Sequence, residues 1–286
     1  MASLEEVAPE NGAIRFAPMP AFPLVEDLRT LWRIRALLAV LTRRDLAART
    51  AGSVGGWLWV WLPPLATVAA YFLVFDVVFA LRVGASAAST RVGAVLIVGM
   101  LPWMAFADAV QRGMGSLIDA GPMLQKNPLP PALFPARAVL ASGCVFAPLI
   151  VLLIAAYAPT HHFRPGVWTA LPLLAGQLAL SFFLAYLLAI LTAALRDVAQ
   201  GASLLLSLGI FLSPVLFPMA QFPARWRWVL WLNPMTAPVL GYQSALLEGA
   251  APRLAVWIAL AAWLIVLAFL LNLALARSRD QLVDWL

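Results

Sequence analysis

Long apolar tracts alternate with short charged segments along most of this chain. Seven tracts longer than a typical globular helix run between charged residues, with at most one acid inside any of them. A helix needs about 20 apolar residues to cross a hydrocarbon core roughly 30 Å thick. We predict six spans, at approximately 55–80, 92–112, 138–158, 169–195, 201–218 and 254–276.

The seventh tract, 228–247, is apolar but contains the stretch "WLNPMTAP" at 231–238. Its proline, asparagine and glycine residues interrupt any helix drawn through it, and a broken backbone in lipid leaves polar groups without partners. The interrupting residues are Asn233, Pro234, Pro238 and Gly241. We therefore predict that 219–252 forms a helix, a break and a second helix that dips into one face of the membrane or lies along it.

The composition agrees with a membrane environment. Hydrophobic residues make up 63% of the 286 positions and charged residues only 11%, against roughly 25% charged residues in soluble domains. The predicted fold class is an all-α integral membrane protein with six transmembrane helices in one domain at 51–276. The single cysteine, Cys144, excludes an intrachain disulfide.

Basic residues predict the orientation of the spans. Thirteen of the 19 arginines and lysines fall on the side that holds both termini, and six fall on the other side. The side richer in basic residues is normally cytoplasmic. We therefore expect both termini in the cytoplasm, the chain in the inner membrane, and the segment 219–252 at the outer face.

Residues 24–50 have helical periodicity but carry too many charges to form a span. Leucine and isoleucine side chains share one face, and four arginines cluster on the other, which predicts an amphipathic helix in the cytoplasmic interface. The polar side chains of interest are Arg29, Arg33, Arg43, Arg44 and Asp45. The helix is either a plain membrane anchor or a platform for a cytoplasmic partner. Residues 1–23 and 277–286 are predicted to be a mobile tail and a cytoplasmic tail.

The loop 113–137 is longer than a turn between two helices requires. Its first half can form about two helical turns, and the loop contains five prolines, which stiffen it. Ordered long loops are usually functional. We leave open whether this loop docks on a partner or only connects two spans.

Several kinds of chemistry lack their motifs. The sequence contains no GxxxxGK[ST] motif for nucleotide phosphates and no HExxH motif. His161 and His162 fall in a predicted outer loop, where they read as solvated residues, and we predict no metal site. Asp76 and Asp108 are the only acids within the predicted spans. Transport that is coupled to ions uses ionisable groups inside the membrane. We therefore expect that any transport by this protein takes its energy from a source other than an ion gradient.

Four motifs occur in order along the chain, and together they resemble the type-2 ABC transporter permeases of the polysaccharide and polyol-phosphate export family. They are "RRDLAARTAGSVGGWLWVWLPPLATVAAYFLVF" (43–75), "LRDVAQ" (195–200), "FLSPVLFPM" (211–219) and "WLNPMTAPVLGYQSALLEG" (231–249). The resemblance covers about residues 24–276. Members of this family export O-antigen, capsule or teichoic acid.

The resemblance implies a transporter subunit that is not itself an enzyme. Two permeases would form a homodimer with two separate ATPase subunits, which would bind ATP and Mg, and this chain would hold no cofactor. A lipid-linked, O-antigen-like polysaccharide would pass through a channel at the dimer interface, and nucleic acid is not among the expected partners.

The resemblance also assigns roles to particular residues. The ATPase would contact the inner loop and the turn after the fourth span, through Leu117, Ile118, Asp119, Leu124, Gln125, Lys126, Phe134, Arg137, Arg196 and Asp197. The broken outer segment would shape the exit, through Trp231, Asn233, Pro234, Pro238 and Tyr242.

Aromatic side chains are candidates for a channel wall, because ring faces can stack on sugars without binding them through charge. The candidates are Trp57, Trp61, Tyr71, Phe72, Phe75, Phe211 and Phe217. The same side chains are also typical of lipid-facing or core positions.

Two alternative functions remain open at this level. A type-2 permease for a drug or small lipid would have few aromatic residues at the centre of its spans. A membrane-embedded glycan or lipid transferase would need paired carboxylates near one interface, and the acids of this sequence are scattered.

Overall fold

In the computed structural model, residues 23–78, 82–83, 90–126 and 129–278 are described. The predicted tails therefore lie outside the described residues, apart from Pro23, Arg277 and Ser278. Almost every described element is a helix, which agrees with the predicted all-α class.

The chain begins with two consecutive helices, α1 (Pro23–Arg33) and α2 (Arg35–Thr50). Only Ile34 separates them, and the backbone hydrogen bonds from Ile34 N to Thr30 O and from Leu38 N to Ile34 O continue through this position. The predicted single interface helix is thus nearly continuous. Its buried leucines, Leu24, Leu31 and Leu41, belong to the predicted apolar face.

Five helical stretches within the described residues are long and apolar enough to cross a membrane. Three of them are the single helices α4 (Val92–Asp119), α6 (Leu133–Tyr157), which continues as a 3-10 turn to His161, and α12 (Leu254–Ser278). The fourth combines the short helix α7 (Pro165–Trp168) with α8 (Ala170–Ala194). The fifth is α3 (Leu58–Phe72), which a π-helical turn extends to Val78.

Two predicted spans were too short, because α4 and α6 reach into the predicted inner loop. Only the short helix α5 (Gly121–Leu124) lies between them. At the other side of α4, Arg82–Val83 and Thr90–Arg91 pair as two-residue antiparallel strands, the only strands in the part of the chain described.

The predicted fifth span, 201–218, is wrong in its extent. Helix α9 (Asp197–Gly209) has 13 residues, and turns follow it as far as Pro218. Pro214 cannot donate a backbone hydrogen bond. Side chains of the next segment donate hydrogen bonds to the carbonyl groups that are left free where this helix ends.

The predicted break in 219–252 is present. Two 3-10 turns lead to the short helix α10 (Arg227–Leu230), and after a break α11 (Thr236–Leu247) follows. The order of elements places α2, α5, the α8–α9 turn and the end of α12 at one end of the bundle, here called the α2 end. The start of α4, α7 and the start of α12 lie at the opposite end, here called the α7 end.

Helix α4 lies at the centre of the bundle and packs against α3, α6, α8 and α11. Its side chains Val98, Phe106 and Leu117 are almost fully buried. Gly113 permits close approach to α8, since a Cβ atom there would lie 2.5 Å from the Cβ atom of Ala185.

Candidate functional site

Asn233, in the break between α10 and α11, provides the hydrogen bonds that the end of α9 lacks. Its Nδ2 atom donates to Gly209 O at 2.8 Å and to Leu212 O at 3.4 Å. Its Oδ1 atom accepts from Met235 N at 3.0 Å. One side chain thus satisfies backbone groups on both sides of the gap between two broken helices, as a backbone away from water requires.

This contact lies deep in the bundle. A Cβ atom on Gly209 would lie 2.8 Å from the ring of Trp103, and Trp103 is 11 residues from the start of α4. At about 1.5 Å per residue, this places Asn233 roughly 16 Å inside the α7 end. The segment therefore enters the bundle and returns.

An apolar cavity of about 360 Å³ lies beside this contact. Trp103, Phe106 and Trp263 line it together with Asn233 and Pro234. The cavity leaves room beside the point where two broken helices meet.

The other residues predicted for the outer gate lie in the same segment. Trp231 is partly buried, and its carbonyl accepts from Trp263 Nε1 at 3.2 Å. Pro238 and Tyr242 are buried in the bundle. A further bond, from Gln243 Nε2 to Pro214 O at 2.7 Å, ties α11 to the turns after α9.

Closely packed backbone segments form a junction at the α7 end, which fixes the C-terminal end of α11. His161 Nε2 lies 2.8 Å from Leu246 O, and a Cβ atom on Gly166 would lie 2.5 Å from Gly249 O. Gly249 has a φ of +61°, a left-handed conformation that favours glycine. The interpretation of His161 as a solvated loop residue was therefore incomplete, because its ring packs at this junction.

A charged cluster joins α2, α4 and α6 at the α2 end. Arg49 Nη1 lies 3.3 Å from Asp108 Oδ2, and Arg49 Nη2 donates to Ser142 Oγ at 3.1 Å. Ser142 Oγ donates to the same Asp108 oxygen, and Arg112 Nε lies 2.9 Å from Asp108 Oδ1. Burial lowers the pKa of Arg49, opposed by the attraction of Asp108.

Asp108 and Asp76 both have structural partners. Asp76 Oδ1 accepts from Gly93 N at 2.9 Å, at the first turn of α4, where a helix favours negative charge. Asp108 is 15 residues further along α4 than Gly93, which corresponds to roughly 22 Å. These two acids therefore do not form the paired carboxylates that a transferase would need.

The residues predicted to contact an ATPase fall into three groups. Leu117, Leu124 and Phe134 are buried in the core of this chain, so their side chains offer no surface to a partner. Ile118 and Arg137 are partly buried, and Arg137 Nη1 pairs with Asp45 Oδ1 at 3.5 Å. The exposed members are Asp119, Gln125, Lys126, Arg196 and Asp197.

Two further residues of α5, Pro122 and Met123, are also exposed and were not among the predicted contacts. Met123 is 40% exposed. Hydrophobic periodicity alone does not distinguish the apolar side chains of this loop that face the core from those that face outward. We call the exposed residues Asp119, Pro122, Met123, Gln125, Lys126, Arg196 and Asp197 the coupling surface.

The interface helix shows the predicted polar face, together with one contact that was missed. Arg29, Arg33, Arg43 and Arg44 are exposed and Asp45 is partly buried. Asp27, which was not predicted as a functional residue, is buried and accepts a hydrogen bond from Tyr186 Oη at 2.8 Å. This bond ties α1 to α8.

The predicted channel aromatics lie mostly on an exposed helix. Pro64 is the only buried residue of α3, and Trp57, Phe72 and Phe211 are exposed. Trp61, Tyr71, Phe75 and Phe217 are partly buried. The rings of Trp57 and Trp61 are 5.9 Å apart, and those of Tyr71 and Phe75 stack at 6.0 Å.

Comparison with known proteins gives one family match. The family model described as "ABC-2 type transporter" matches residues 36–247. An O-antigen export system permease protein RfbA from Myxococcus xanthus is 31% identical over 244 residues, which cover 84% of this chain and 91% of the relative. Two proteins of the same name from Klebsiella pneumoniae are 27% and 26% identical, each over 74% of this chain and 81% of the relative.

Proposed function

Since this chain belongs to the ABC-2 type transporter family and is therefore a transporter membrane subunit rather than an enzyme, we propose that it exports a lipid-linked, O-antigen-like polysaccharide. The observation that carries this proposal is the 31% identity to an O-antigen export permease over 91% of that relative. Likeness over nearly the full length includes the broken segment around Asn233 as well as the spanning helices.

The energy for export would come from ATP hydrolysis by separate subunits. The sequence has no motif for binding nucleotide phosphates, so we infer that ATP and Mg bind to ATPase partners. The coupling surface is at the α2 end, which we place in the cytoplasm of the cell because basic residues are concentrated there. The protein would then lie in the inner membrane with both termini inside.

A homodimer with the channel at its interface is the arrangement we favour. Helix α3 is exposed along almost its whole length, and several leucines of α9 are also exposed. These two helices offer both an apolar surface for a second copy and aromatic rings beside it. Rings of this kind can stack on sugars while a polymer slides.

The experiment that tests the proposed function is deletion of the gene in its host. Polysaccharide should accumulate with the inner membrane and disappear from the cell surface, and expression of the full chain from a plasmid should restore it. The two fractions are measured by immunoblot with an antibody to the surface glycan. Unchanged surface glycan combined with altered tolerance to drugs or lipids would instead favour a permease for small molecules.

The coupling surface gives a separate prediction. Met123→Glu places a charge on an exposed apolar side chain of α5, and burying an unpaired carboxylate in a contact with a partner is costly. We expect at least about a tenfold loss in affinity for the ATPase subunit, measured by co-purification with the tagged permease and by ATP hydrolysis of the reconstituted complex. Gln221→Glu adds the same charge at the α7 end and should leave both unchanged. Equal recovery of the ATPase with both variants would remove α5 from the contact.

A further inference from the structure

Two cavities meet at the charged cluster, and the proposed function does not yet use either of them. The smaller, of about 320 Å³, is lined by Asp45, Arg49, Arg112, Asp119 and Arg137, among others. The larger, of about 550 Å³, is lined by Arg49 and Arg112 together with Trp59 and Phe146. Ligand sites typically have volumes of about 300–1,000 Å³, so the larger cavity has room for a ligand headgroup.

The larger cavity carries an excess of positive charge. Its charged side chains are Arg49, Asp108 and Arg112, so two guanidinium groups share one carboxylate. The side chain of Arg49 is only 11% exposed, and burial without full compensation is costly for a charged group. Arg49 and Arg112 both pair with Asp108, and the one positive charge left over in this lining favours an anionic ligand.

Arg112 is the more accessible of the two arginines. Its side chain is 50% exposed, and its bond to Asp108 uses the Nε–H group. Among the described residues, neither terminal nitrogen of Arg112 has a hydrogen-bond partner. Guanidinium N–H groups match phosphate oxygens in a two-pronged geometry. Gln111, which also lines the cavity, adds a neutral polar group next to it.

The remaining walls are apolar. Val60, Pro63, Pro64 and Phe146 lie in the same lining as the arginines, and the exposed ring of Trp59 stands at its edge. The cavity lies where α2 ends and α3 begins, and tryptophan rings such as that of Trp59 prefer the level of the lipid headgroups. Guanidinium groups beside an apolar wall fit an amphiphile that carries phosphate next to hydrocarbon.

We propose that the larger cavity binds the phosphate headgroup of a lipid-linked substrate, with Arg112 and Arg49 as the phosphate ligands. This inference rests on the proposed function, because it specifies how the lipid-linked polysaccharide is held. The polysaccharide would then extend from the headgroup while the lipid lies along the apolar wall of α3.

The test uses the permease–ATPase complex in phosphatidylcholine nanodiscs with farnesyl diphosphate as the probe. Binding is measured by microscale thermophoresis, with farnesol as the comparison ligand. Wild type should bind the diphosphate and not farnesol, and Arg112→Gln should weaken that binding about tenfold or more. Arg112→Lys should be intermediate, since lysine keeps the charge and loses the two-pronged geometry.

The matched control is Arg164→Gln, which removes the same charge from an exposed loop at the α7 end and should bind like wild type. Equal affinities of wild type and Arg112→Gln would overturn the site. A second arm repeats the titration in nanodiscs that contain phosphatidylglycerol. If that phospholipid competes fully with farnesyl diphosphate, the cavity holds a bilayer headgroup and the substrate assignment is overturned.

The two proposals fail separately. If deletion of the gene leaves surface glycan unchanged while binding of farnesyl diphosphate still depends on Arg112, the export assignment fails and the phosphate site stands. If export is lost on deletion while Arg112→Gln binds the probe normally, the site fails and the export assignment stands.

Discussion

Asn233→Ala is expected to lower the melting temperature of the purified complex and to abolish or strongly reduce export. The substitution removes the donor to Gly209 O at 2.8 Å and the acceptor for Met235 N at 3.0 Å. Leaving such groups unpaired inside a protein costs about 1–3 kcal/mol for each group.

The measurements are thermal unfolding of the detergent-solubilised complex and surface glycan in a deletion strain that expresses the variant. Asn233→Asp separates the two roles, because its carboxylate still accepts from Met235 N but has no N–H group for Gly209 O. Gln221→Ala, an exposed amide at the α7 end, should behave as wild type. A normal melting temperature and normal surface glycan for Asn233→Ala would show that the contact with α9 is dispensable.

Gly166→Ala is expected to have the second large effect, through loss of the folded protein. The new Cβ atom would lie 2.5 Å from Gly249 O and 2.6 Å from Ala250 C. Both are backbone atoms, so no side chain can rotate away and the chain must shift. Overpacking of this kind costs roughly 1–3 kcal/mol and sometimes more.

The yield of monodisperse protein and its melting temperature measure this effect. Gly249→Ala should also destabilise, because that position has a φ of +61° and its Cβ atom would lie 2.6 Å from the ring of His161. Gly201→Ala is the matched control, since a Cβ atom there would meet no atom within 4 Å. Alanine in a helix is favoured over glycine by about 0.5–1 kcal/mol, so this variant should be neutral or more stable. Equal stability of Gly166→Ala and Gly201→Ala would contradict the close packing between Gly166 and the backbone at Gly249.

Several features of the fold were predictable because charge marks where an apolar helix can begin and end. The predicted spans 169–195 and 254–276 match α8 and α12 to within two residues at each boundary. The family was likewise predicted from four ordered motifs, and the match over residues 36–247 confirms that it is an ABC-2 transporter.

Contacts between distant segments were not predictable from hydropathy. Residues 201–218 carry no charge, but the helix ends at Gly209, where Trp103 packs closely and Asn233 donates hydrogen bonds to the freed carbonyls. Leu117 and Leu124 were predicted to contact a partner for the same reason, since their hydrophobic pattern fits either docking on a partner or burial in the core. The contact of Asp27 was not predicted, because nothing near it in sequence indicates that Tyr186 donates a hydrogen bond to it.

The bond between Asn233 and Gly209 has a mechanical consequence. Helix α9 starts at Asp197, in the turn that contributes to the coupling surface, and its other end is held by the broken segment. Its 13 residues form a rod about 20 Å long. A displacement of the turn at Arg196 would therefore reach the break at Asn233 along a single helix, which also contacts α4 and α8. One short helix thus joins the turn at Arg196 to the break at Asn233.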